Sequence, residues 1–186
     1  MTERAADPRK LDVRRFARAG ALLQGAWPQA QCTRLAASLL PPLADEPAPP
    51  VQWQAQGALR LVKGGEAEIW LHLQADAVVR LECQRCLQPM TGPLRLNRQL
   101  RFVTGDDEAA RLDEDNEDDV LALSDRLDLM DLLEDELILA LPLVPRHEIC
   151  AQPLHGAPAN EKAAADEPRL HPFAALATLR GKPPST

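Results

Sequence analysis

Between residues 51 and 103 apolar side chains recur at every second position. In "VQWQAQ" they are Val51, Trp53 and Ala55; in "EAEIWLHLQA", Ile69, Leu71 and Leu73 stand against Glu68, Trp70 and His72. "AVVRLECQ" sets Val79, Leu81 and Cys83 against Val78, Arg80 and Glu82. "PLRLNRQLRFV" sets Leu94, Leu96, Leu100 and Phe102 against Arg95, Asn97, Gln99 and Arg101, and Arg98 breaks the apolar side. A period of two is that of a strand with one buried face. The connectors "KGGE" and "LQPMTGP" are turn-formers, so the pattern predicts an antiparallel meander with one face on a core and the other in water.

The flanks change period. Asp12 is placed to cap a short helix in "VRRFARA", stopped by Gly20, and a second helix is expected in "QCTRLAASLL", ended by Pro41 and Pro42. "PPLADEPAPP" reads as a linker. "LDLMDLLEDELILALP" predicts a longer helix capped by Asp128, with Asp131 in its first turn. Leu129, Leu132, Leu133, Leu137 and Leu141 form its apolar face, and Pro142 ends it. Residues 106–120 carry nine acidic side chains against one arginine and predict a mobile loop. Residues 151–186 predict a mostly disordered tail with a short apolar segment at 171–180. The expectation is an α+β fold in one domain over 1–150: an antiparallel meander packed with a few helices.

Composition adds limits. The chain has 186 residues and no tyrosine, so its core must come from Leu, Val, Ile and Ala. No apolar run approaches the roughly 20 residues that span a bilayer, and "MTERAADPRKLDVRRF" is charged from its start. A soluble, cytoplasmic protein with no membrane contact is expected. The net charge of −7 speaks at first sight against nucleic acid, but it is uneven. Residues 1–34 are basic on balance, and a polarised molecule can turn a basic face to RNA while its acidic segment points away.

Chemistry concentrates in the cysteines. Cys83 and Cys86 form a C-x-x-C, and His147 and Cys150 form an H-x-x-C some sixty residues later. Three thiolates and an imidazole make a closed structural zinc site. The competing readings are a thioredoxin-type redox pair, which needs a helix starting at the first cysteine, and a pair of small buried residues. Cys32 stands alone and reads as a core residue. Asp131, Glu134 and Asp135 share a helix face and read as a solvated one. No nucleophile elbow, phosphate loop, dinucleotide fingerprint or H-E-x-x-H is present, so no enzyme is expected.

The strings "VRLECQRCLQPM" and "LDLMDLLEDELILALPLVPRHEIC", and a polar tail ending "HPFAALATLR", resemble the bacterial YceD proteins, large ribosomal RNA subunit accumulation proteins with plastid relatives. "LDVRRFARAGALLQG" and "RLAASL" are similar to the N-terminal part of that family. The resemblance implies a non-enzymatic role in 23S rRNA accumulation, through rRNA processing or assembly of the large subunit. It makes 23S rRNA or its precursor and large-subunit ribosomal proteins the expected partners. It also supports a metal at Cys83, Cys86, His147 and Cys150. Some relatives carry a second cysteine pair where this chain has only His147 and Cys150, which leaves a four-ligand site and a degenerate one held by packing both open. Arg14, Arg15 and Arg18 of the first helix, and Arg80, Arg95, Arg98 and Arg101 of the strands, are the candidate RNA contacts. Two other classes remain: an adaptor whose acidic segment recruits a basic protein, and a thiol oxidoreductase through Cys83 and Cys86.

Overall fold

The computed structural model describes residues 6–43, 46–115 and 119–150. The expected tail over 151–186, with its segment 171–180, lies outside them, as do residues 116–118 of the acidic stretch. The centre is a five-stranded sheet in the order β1-β2-β3-β4-β5. Its strands are β1 (Leu22–Trp27), β2 (Val51–Arg60), β3 (Glu68–Glu82), β4 (Pro89–Val103) and β5 (Asp119–Ala122).

The first four strands pair antiparallel, and for β2, β3 and β4 the alternation predicts it. The two predicted segments flanking Asp76 are one continuous strand, β3, because the phase never slips: Leu73, Ala75, Ala77 and Val79 all lie on the buried face. β1 escapes prediction. Its "LLQGAW" has no β-branched residue, and Gly25 replaces a side chain where the Trp53 ring lies against the backbone. Trp53 also stacks on Trp27, with ring centroids 4.5 Å apart.

One face of the sheet carries the core. Rows such as Gly57, Leu71 and Leu100 run across β2, β3 and β4 in register. Helix α1 (Val13–Arg18) lies on this face with Val13, Phe16 and Ala17 buried. A Cβ on Gly57 would come within 2.8 Å of the Ala17 backbone, so glycine is what lets the helix sit so close. Asp12 caps α1 by accepting from the Arg15 N–H. At its other end Gly20, with φ 56, donates to Ala17 and Ala21 donates to Phe16, a Schellman closure. Helices α2 (Thr33–Ala37) and α4 (Leu129–Leu139) contribute Leu35, Leu129, Met130, Leu133 and Leu137 to the same core. Asp128 caps α4 through the N–H groups of Met130 and Asp131.

The opposite face is polar and exposed over most of its area. Trp70 is the exception: it is buried there beneath the Arg60 guanidinium, 3.8 Å from the ring centroid, and its indole N–H donates to Glu68.

The acidic stretch differs from its predicted loop. Asp106–Asp115 form helix α3, which leads into β5, and β5 joins β4 in parallel, so the sheet is not wholly antiparallel. Three acids in the first turn suit the helix N-terminus. Arg111 pairs with Glu108 one turn back, and Ala109 is buried. Composition registered the charge but not this pattern.

Candidate metal centre

β3 ends at Glu82, and Cys83 opens the turn to β4. The Leu87 N–H donates back to the Cys83 carbonyl, and the Cys83 N–H donates to that of Gln88. Leu87 takes a left-handed conformation, φ 57, to close this turn. The loop after α4 runs alongside: the Gln84 N–H donates to the Pro145 carbonyl at 2.8 Å. This lays His147 and Cys150 against the turn.

The four ligand atoms of Cys83, Cys86, His147 and Cys150 lie within 4.8 Å of one another. The sulfurs of Cys83 and Cys150 are 3.8 Å apart, and the Cys86 sulfur is 3.4 Å from His147 Nδ1. Two thiolates on one tetrahedral zinc stand about 3.8 Å apart, and a thiolate and an imidazole about 3.5 Å. The donor set and these two distances therefore fit a closed tetrahedral site. The widest pair needs only a small side-chain adjustment.

The turn also favours thiolate. Burial pushes the Cys83 thiol up, but N–H donation from His147, Arg85 and Cys86, together with the Cys86 thiol, outweighs it and holds the group down at about 5. The Gln88 N–H draws Cys86 down, but burial and the neighbouring Cys150 and Cys83 sulfurs prevail and raise it. Neighbouring thiols cannot all ionise at once, so Cys83 and Cys86 shift in opposite directions. A depressed thiol suits redox chemistry as well as ligation. No helix begins at Cys83, however, and β4 starts at Pro89. The two further ligands point the same way, towards metal.

The candidate arginines fall into two groups. Arg14, Arg15 and Arg18 are exposed on α1. Arg14 donates to Thr104 Oγ1, while Arg15 and Arg18 make no side-chain hydrogen bond or ion pair among the described residues. The strand arginines are engaged. Arg80 donates to the Pro41 carbonyl, and Arg95 faces Asp76 at 3.6 Å. Arg101 pairs with Glu68 at 2.9 Å. Arg98 lies in register with Leu73 on the core side, where it binds Glu136 at 3.1 Å and Asp119 at 3.5 Å.

The acidic face of α4 departs from its solvated reading. Glu134 is 4 % exposed and accepts from the backbone N–H groups of Arg34 and Leu35. The Arg34 side chain binds Glu134 and Asp135 as well. Sequence gave no signal for this, because the partners stand about a hundred positions apart. Cys32 is buried in the core, as expected.

A family profile described as "Large ribosomal RNA subunit accumulation protein YceD" matches residues 71–180. A protein of that name from Haemophilus influenzae is 39% identical over 110 residues, covering 56% of this chain and 61% of the relative. The chain thus aligns with less than two thirds of that relative's length. No solved structure gives a significant match. The matched span begins in β3 and includes the whole Cys-Cys-His-Cys cluster and α4. The chain belongs to the YceD family, the large ribosomal RNA subunit accumulation proteins.

Proposed function

We propose that this protein supports accumulation of 23S rRNA and assembly of the large ribosomal subunit in the cytoplasm, as a non-enzymatic module that binds RNA directly. The observation that carries direct binding is the state of α1: its three arginines project into solvent with no acidic partner among the described residues. Guanidinium groups in that state are available to phosphates and read backbone and shape rather than base identity. Among the described residues few rings are exposed for base stacking, which argues against single-strand sequence readout. No helix of the described residues is long and apolar enough to cross a membrane.

Zinc is the metal that suits the cluster, with Cys83, Cys86, His147 and Cys150 as its ligands. All four positions would be filled by protein, so the ion's contribution is structural: it polarises no substrate and joins the β3–β4 turn to the loop after α4.

Crosslinking in cells, followed by sequencing of the attached RNA, tests the RNA contact. Enrichment of 23S rRNA or its precursor is the expected result. Crosslinks to basic large-subunit proteins with no RNA would favour the adaptor reading, with α3 as the acidic recruiting element.

A further inference from the structure

Arg85 is the second residue between the two cysteines of the turn, and it belongs to neither the core nor an ion pair. Its Nε lies 3.0 Å from the Cys150 sulfur, and its Nη2 donates to the carbonyls of His147 at 2.8 Å and Glu148 at 3.2 Å. A residue embedded in the first half of the centre thus grips the second half from outside. Among the described residues it supplies the one nitrogen donor to the Cys150 sulfur. The other backbone ties across the gap, Gln84 N–H to Pro145 and His147 N–H to Cys83, end at His147, and beyond it Cys150 has only the Cys83 sulfur at 3.8 Å.

We propose that Arg85 is the positioning residue of the metal centre, clamping the His147–Cys150 loop onto the turn and offsetting the charge of the loaded site. The inference rests on the zinc reading above. A zinc ion with three thiolates and a neutral imidazole carries one net negative charge, and a guanidinium on one of the sulfurs cancels it. The fork geometry matters as much as the charge. One planar group reaches a sulfur and two carbonyls at once, which a lysine ammonium on its single point cannot do. The exposed position of Arg85 is consistent with this: its work is on the rim, where the last ligand would otherwise fray.

The test uses the full chain and zinc itself. Zinc affinity is measured by competition with a chromophoric chelator, and each cysteine of the loaded protein is followed by alkylation and mass spectrometry. Arg85→Gln is expected to weaken zinc about ten- to a hundredfold, the usual effect of losing an outer partner of a ligand. In that variant Cys150 should alkylate faster while Cys83 and Cys86 stay shielded. Arg85→Lys should resemble Arg85→Gln more than the wild type, and Gln84→Ala should bind like the wild type. Cys32, buried in the core, reports on global folding and should stay unreactive throughout. Labelling of Cys32 together with Cys150 would make the effect global and overturn the assignment. So would full rescue by lysine, or wild-type affinity and shielding in Arg85→Gln. A wild-type protein that takes up neither zinc nor cobalt would bring down the metal reading itself, and this inference with it.

Discussion

The Glu134 carboxylate lies 2.6 Å from the Arg34 backbone nitrogen and 3.0 Å from that of Leu35, so a side chain of α4 closes the start of α2. α2 has no side-chain cap of its own, since Cys32 occupies that position. Glu134→Ala leaves two donors in a mostly buried place without an acceptor. It should destabilise the protein by about 1–3 kcal/mol, and Glu134→Gln by less. Urea unfolding checks this; an alanine variant as stable as the wild type would show that water replaces the carboxylate.

Neighbouring residues of β3 should behave oppositely. Leu71 is fully buried, whereas His72 is partly exposed and bonds the Asn97 side chain. Leu71→Asp puts an unpaired carboxylate in the core and should abolish folding. His72→Asp should change stability by about 1 kcal/mol or less. Similar thermal melting of the two would contradict the facing of the strand.

Glu136 gives a pH dependence. Burial raises its carboxyl above the ordinary 4.5, against the lowering effect of Arg98. The folded state therefore holds this proton to higher pH than the unfolded chain does. The stability it contributes is complete below the unfolded value and is lost as pH rises through the folded one. Glu136→Gln removes that loss, so the unfolding free energy of the variant minus that of the wild type should increase as pH rises from 4.5 towards neutrality. A difference that stays flat or falls would mean that the Arg98 pair dominates.

Binding to rRNA fragments should weaken steeply with salt. Replacing Arg14, Arg15 and Arg18 together should reduce affinity for all sequences and flatten the logarithmic salt slope by roughly one unit per lost phosphate contact. A slope that does not change would remove α1 from the interface.

Purified, tag-free protein should contain close to one equivalent of zinc by elemental analysis. Its cluster thiols should resist alkylation until a chelator is added. Less than about a tenth of an equivalent, with chelator-independent alkylation, would leave the cluster as a packing feature.

What could be read in the sequence follows from how local each signal is. Alternation from Val51 to Phe102 placed four strand segments, two of them parts of β3, with their buried faces, and it marked Arg98 as an anomaly on the apolar side. The structure resolves that anomaly with Glu136 and Asp119. The C-x-x-C and H-x-x-C named the four residues that converge, and Pro142 marked the end of α4 before the second pair. Elements whose stability comes from their neighbours were not legible. β1 depends on pairing with β2, and α3 on packing against β5. The buried role of Glu134 depends on α2, and the contacts of Arg85 depend on the loop from residue 147 onward.

The join between Cys86 and His147 spans 61 positions along the chain, and β4, α3, β5 and α4 all lie inside that span. A metal that held its two ends through unfolding would act on the denatured chain as a long-range crosslink. By the loop-closure relation used for disulfides, a ring of this length removes conformational entropy worth about 4 kcal/mol from the denatured ensemble. The effect does not depend on how the ion interacts with any other side chain. Loaded protein would then refold from a state in which the C-terminal half of the sheet and the final helix are already confined to one neighbourhood, and metal removal would be felt as far away as β5.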